Sequence, residues 1–361
     1  KATIPAISKT LMSQTKHYNL DINKTLVKSY ILKKAKFRTD LHTHMNANLP
    51  SHCLIALGIV HQIWYPLYYI KKLGLTLSQE QEKKIYKQRA EVEKMFINSE
   101  LKGKYLTRKI DDNTFINFAD FILNNLENAS ENIRKISKSL EILKDGQAVF
   151  TNLEKLYIYR YVFAKGIKSD NEIKLDINKI RQIPETDVKG FLFKMLKDKE
   201  KDSPYYNNTL RQDKILWIAR EYQKQGIYYV EIADTVLTKK GLPAIELLEE
   251  LHQIMPQIEK ETGVKIRFLV AIRRIPLTII KDNKINENYL RENLNVLKAV
   301  SKSPYVVGSD FIGEEINDIS ELSPVIKEIV QYVCEEDSGY TIRIHAGEND
   351  SLRDNVKKSI Q

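Results

Sequence analysis

The sequence predicts an α/β protein built on parallel strands, and three observations carry that expectation. Short runs rich in β-branched and aromatic residues recur through the second half, each closing on polar or ionisable residues. Between them lie amphipathic patterns with apolar residues three and four apart, the spacing of a helix face. The runs repeat every 35 to 40 residues or so (roughly), the length of strand–helix–strand units, whose strands run parallel.

In chain order, "KFRTDLHTH" gives the first strand, expected over Phe37–His42. Roughly 180 residues then pass before the next, too many for an unstructured connection inside a compact protein. That interval is lysine-rich and helical in pattern, as in "EVEKMFINSELKGKY" and "NNLENASENIRKISKSLEILKD". Residues 50–206 are therefore expected to form a mainly helical insertion, a lid or an assembly surface. It divides an N-terminal segment with the first strand (1–49) from four further strand units (207–361). Those later strands are expected over Gly226–Asp234, Val264–Arg274, Pro304–Glu315 and Gly339–Asp350. The helices lie over "TLRQDKILWIAREYQKQ", "LPAIELLEELHQIMPQIEKET", "NENYLRENLNVLKAVSKS" and "SELSPVIKEIVQYVCEED". Gly226, Gly263 and Gly339 read as helix terminators.

The net charge of +10 is spread among glutamates, as in "LSQEQEKKIYKQRAEVEKMF", which is the pattern of solvated helix faces. Nucleic acid is accordingly not expected as a substrate. No apolar run reaches membrane-spanning length, and the start lacks the basic-then-apolar pattern of a signal peptide. A cytoplasmic protein without a membrane span is expected. Cys53 and Cys334 form no C-x-x-C, which argues against a disulfide framework or a cysteine zinc site and agrees with a reducing compartment.

In parallel sheets chemistry gathers at the carboxyl ends of the strands, where the loops converge. The five strand ends deliver His42 and His44; Glu231 and Asp234; Arg273 and Arg274; Asp310, Gly313 and Glu314; His345 and Glu348. The H-x-H of "DLHTH" places two imidazoles on one face of a strand, because side chains alternate. Two imidazoles converging from one side suit zinc if further ligands arrive from elsewhere. Alone, the motif does not distinguish a metal clamp from two neighbouring surface histidines. His345, in "IRIHAGEND", closes another apolar strand and supplies a third imidazole, followed by the small Ala346 and Gly347 and then Glu348. His17, His52, His61 and His252 are read as structural. Arg273 and Arg274 suit substrate phosphates, or one of them pairs with Glu231 or Asp310 beneath the site. Asp310 reads as a structural acceptor rather than a base. In "DVKGFLFKM", Phe191 and Phe193 border the pocket or serve the core.

With those residues placed, the chain resembles the adenosine deaminase superfamily. The likeness is carried in order by "TDLHTHMNAN", "VEIAD", the G-x-D-x-x-G-x-E pattern of "VVGSDFIGEE" and "HAGE". The long insertion is similar to that of large prokaryotic defence deaminases, of the RADAR and CRISPR-associated types. The resemblance implies a (β/α)8 TIM-type barrel whose front five strands lie in this sequence, with strands six to eight absent after Glu348. The chain is thus expected to be the front portion of a larger polypeptide, or to be completed by another segment. It implies Zn²⁺ held by His42, His44 and His345, Glu348 as the proton shuttle to the purine, and Gly313 as a backbone contact to the base. Asn46 stands where relatives carry a ribose-holding aspartate, and its neutral side chain would repel a phosphate less. Asp310 and Arg273 are the further candidates on the substrate side.

The activity so implied is zinc-dependent hydrolytic deamination of an adenine nucleoside or nucleotide, with a defence-system partner protein as a further expectation; the large insertion, of a kind that often serves contacts between subunits, leads to the expectation of a homo-oligomer. Glu348 must be protonated to donate, so it is expected in a partly desolvated setting with a raised pKa. Zinc deaminases of the H-x-E/P-C-x-x-C type are excluded by the lack of a C-x-x-C. Two rival readings follow from the same residues. "DLHTH" also opens the polymerase-and-histidinol-phosphatase family of metal-dependent phosphoesterases, and a barrel missing its late strands would suit a non-catalytic assembly module.

Overall fold

The structure is a computed structural model that describes residues 39–45, 48–96, 113–141, 150–160, 162–164, 167, 171–234, 242–274, 287–313, 315, 317–336 and 340–360. Its centre is a five-stranded parallel sheet in the order β1-β4-β5-β6-β7, curled into a half-barrel. The strands are β1 (Thr39–His44), β4 (Tyr229–Asp234), β5 (Lys265–Arg273), β6 (Val306–Ile312) and β7 (Thr341–Ile344). β2 (Trp64–Pro66) and β3 (Phe115–Asn117) form a separate antiparallel ribbon within the insertion.

The three inner strands are buried along nearly their whole length, as expected for parallel strands covered on both faces. Helices Leu210–Lys224, Leu242–Thr262, Glu287–Val300 and Ser323–Glu336 alternate with the strands, matching the amphipathic patterns in the sequence. The first begins with a capping box, Thr209 Oγ1 accepting from the Gln212 N–H and the Gln212 side chain accepting from the Thr209 N–H. β1 and β7 are the two edges of the sheet and are the most exposed of its strands.

The first strand ends two residues later than the sequence pattern suggested, running through His44, while residues 37 and 38 fall outside the described residues. Its register with β4 slips between Asp40 and Thr43, opposite Val230 and Ile232, so one extra residue bulges from β1 beside the histidines. The described part of 50–206 is mainly helical. Helix Ser51–Val60 is buried from Cys53 to Ile59 and packs on helix Thr186–Asp198, whose Phe191 meets Trp217 of helix Leu210–Lys224 edge-on, ring centroids 5.5 Å apart. Phe193 on the same helix is exposed. Cys53 is buried, Cys334 is exposed, and both are free thiols. Among the described residues no helix is long and apolar enough to cross a membrane.

Candidate metal centre

β1 presents its two histidines by alternation. Thr43, between them, turns the other way and donates from Oγ1 to Asn48 Oδ1 at 2.7 Å, while Asn48 Nδ2 donates to the His44 carbonyl at 2.8 Å. Tyr222 braces this strand end, its hydroxyl 2.7 Å from Asp40 Oδ2 and 2.8 Å from Asn48 Oδ1. His345 follows β7 directly, and its backbone N–H donates to the Phe311 carbonyl at 3.1 Å, extending the ladder by one residue. Asp310 lies between them on β6.

These four residues converge. His42, His44, Asp310 and His345 each offer a ligand atom, all within 4.8 Å of one another. His42 Nε2 lies 2.7 Å from Asp310 Oδ2 and 3.2 Å from His345 Nε2, and His345 Nε2 lies 3.3 Å from the same carboxylate oxygen. Asp310 is fully buried, and its Oδ1 makes no hydrogen bond among the described residues. Three imidazoles and a carboxylate are a donor set that suits zinc, and a buried carboxylate oxygen with no proton donor is what a cation would satisfy. These four residues could therefore hold a metal ion.

The electrostatics follow from the crowding. Burial would raise the Asp310 carboxyl, yet the hydrogen bonds from His345 and His42 and their charge outweigh it and hold it below its ordinary value. The hydrogen bond to Asp310 raises His345, against burial. Burial lowers His44, opposed by Asp310 and Asp234 and assisted by the other two imidazoles. Behind Asp234, the enclosed Lys214 is pushed down by burial to about 8.

Glu348 lies beside the cluster, Oε1 3.5 Å from His345 Nδ1. Its side chain is 60% exposed, so the desolvated setting expected for it is not present. What is buried instead is Glu315, which accepts hydrogen bonds from the backbone N–H groups of Gly347, Glu348 and Asn349. Burial would raise this carboxyl, but the bonds from Asn355 and the three N–H groups hold it below its usual value. Gly347 turns the loop with φ +86°, and a Cβ there would lie 2.7 Å from Val356 Cγ2.

The remaining candidates separate. Gly313 directly follows β6, the strand that carries Asp310. Arg273 ends β5, partly buried, and Arg274 is wholly buried with Nη1 3.9 Å from Glu315 Oε1. The arginine expected beneath the site against Glu231 or Asp310 gives way to a different pairing, because Glu231 is met by Arg343 and Asp310 by the histidines. Asn46, Glu314, His17 and Gly339 lie outside the described residues. His61 and His252, read as structural, are bonded to Asp213 at 2.5 Å and Ser303 at 3.1 Å. Asp310, expected as a structural acceptor and a substrate-side candidate, joins the histidines instead, and Glu315, the last residue of the G-x-D-x-x-G-x-E pattern, had been given no role. The signal for both was a carboxylate in or just after an otherwise apolar strand, which burial makes costly unless it is paired.

A scan against protein-family models found no match, and a search of curated proteins found none either.

Proposed function

We propose that this chain is a zinc-dependent hydrolase that deaminates an adenine nucleoside or nucleotide, and that its half-barrel is the front of a (β/α)8 barrel. The observation that carries the reading is the meeting of His42, His44 and His345 with the buried Asp310, within 4.8 Å, at the carboxyl ends of parallel strands. Zinc held by these residues supplies a Lewis acid that makes water nucleophilic near neutral pH.

The protein's own groups do the rest. Asp310 fixes His42 and His345 through one oxygen and leaves the other free to face a cation. Glu348, at the rim beside His345, passes a proton to N1 of the purine as C6 is attacked. Because its side chain faces solvent, the bound purine is what excludes water from it. Gly313, without a side chain, lets the base approach the β6 end closely, and the resemblance assigns Asn46 to the ribose.

The test is a substrate panel of adenosine, AMP, ATP and dATP with the zinc-loaded protein, read by ammonia release and loss of adenine absorbance. Ammonia from at least one member, with one zinc per chain, is the expected result. No ammonia from any of them would overturn the reading. Two or more metals per chain with phosphate release would put the phosphoesterase in its place.

A further inference from the structure

We propose that Glu315 is a positioning residue, whose carboxylate fixes the backbone of Gly347–Asn349 and thereby the place of Glu348. Calling Glu348 the proton donor rests on the deaminase reading; the clamp itself rests on geometry. A carboxylate offers about four acceptor sites, and four donors reach this one. Oε1 accepts from the Gly347 N–H at 3.1 Å and from Asn355 Nδ2 at 2.8 Å. Oε2 accepts from the N–H groups of Glu348 at 2.6 Å and Asn349 at 3.1 Å. Three consecutive amides on one carboxylate define a loop's course more tightly than any single side-chain contact could.

The attachment works in both directions. Asn349 Nδ2 donates to the Glu315 carbonyl at 2.8 Å, and Asn355 also donates to the Asn317 carbonyl at 3.1 Å while its Oδ1 accepts from the Ile319 N–H at 2.8 Å. The segment after β6, whose strand bears Asp310, is thus bolted to the segment after β7, which bears His345 and Glu348. The Glu315 side chain is wholly buried, as is Arg274, its counter-charge at 3.9 Å. A neutral amide here would turn an NH₂ group towards two N–H donors and leave them unpaired, so the four bonds require a carboxylate.

The experiment compares the full chain with Glu315→Gln and Glu315→Asp by amide hydrogen exchange over residues 345–350, zinc content, and kcat and KM for the best adenine substrate. The expected result for Glu315→Gln is one zinc per chain, faster exchange confined to Gly347–Asn349, and kcat lowered on the order of 100-fold with KM near the parent value. Glu315→Asp, which keeps the charge but is one methylene short, should fall between. Unchanged exchange at those amides, or raised exchange with unchanged kcat, would overturn the proposal. If Glu315→Gln does not fold, Glu315→Asp carries the same readouts. Loss of folding in both also overturns it, leaving Glu315 a structural residue only. If the parent protein deaminates nothing, the functional reading fails while the exchange comparison still decides the clamp.

Discussion

Replacing Gly308 with alanine should loosen the metal centre from a position that touches none of its ligands. Gly308 sits in β6 opposite Thr341 of β7. A Cβ there would lie 2.5 Å from the Thr341 carbonyl oxygen, 2.5 Å from its Oγ1 and 3.0 Å from Leu269 Cδ2. The leucine tip and the threonine hydroxyl can rotate away, whereas the carbonyl oxygen belongs to the sheet. Carbon and carbonyl oxygen keep about 3.3 Å apart, so the two strands must part by about 0.8 Å. His345 moves with β7, because it follows that strand directly and continues its ladder through the Phe311 carbonyl. Metal–ligand distances tolerate about 0.2 Å, so a shift of that size takes the imidazole out of position. The expected outcome is zinc affinity lowered on the order of 10- to 100-fold, together with ~1–3 kcal/mol of lost stability from overpacking. Chelator competition measures the first and urea unfolding the second. Parental zinc affinity in a folded Gly308→Ala protein would refute the argument that strand separation governs the site.

Two further outcomes follow from the described groups. Lys214 is 6% exposed, and its pKa falls from 10.5 to about 8 in the fold. Between those values the unfolded chain binds the extra proton, so stability is lowest below pH 8 and rises as pH climbs towards the unfolded value. Lys214→Met should therefore stabilise the protein at pH 7 by up to ~3 kcal/mol, with the gain gone near pH 10.5; a pH-independent difference in urea midpoints would contradict this. Stripping zinc with a chelator should lower the unfolding midpoint of the parent protein more than that of Asp310→Asn, because that variant keeps the three imidazoles but lacks the buried carboxylate that would complete the ligand set. Equal chelator sensitivity in both would remove Asp310 from the ligand set.

The parts of the fold that could be read from the sequence were those governed by local periodicity. The helix expected from "LPAIELLEELHQIMPQIEKET" runs over the same residues in the structure, Leu242–Thr262, because its apolar spacing repeats over many turns. The inner strands were visible because parallel strands buried on both faces are continuously apolar. The three-residue strands β2 and β3 are too short to carry an alternating pattern, so the ribbon inside the insertion left no trace. His42 and His44 were legible because alternation along one strand is a local rule, and His345 because it ended a strand of the same kind. Asp310 was legible as a strand-end candidate, but the partners of Asp310, Glu315 and Glu231 lie far along the chain, and no local rule specifies them. For Glu348 the chemistry implied burial, whereas the fold spent its burial on the carboxylate that holds the neighbouring loop.

The strands that bring His42 and His345 together are the two margins of the sheet, and the residues are 303 positions apart in the chain. An ion shared between them would act as a clasp drawn across the concave side, opposing any flattening that pulls the margins apart. Closing so large a loop costs entropy that grows only with the logarithm of its length, so a single coordination site suffices to hold it shut. Metal loading and the curvature of the sheet should then report on each other.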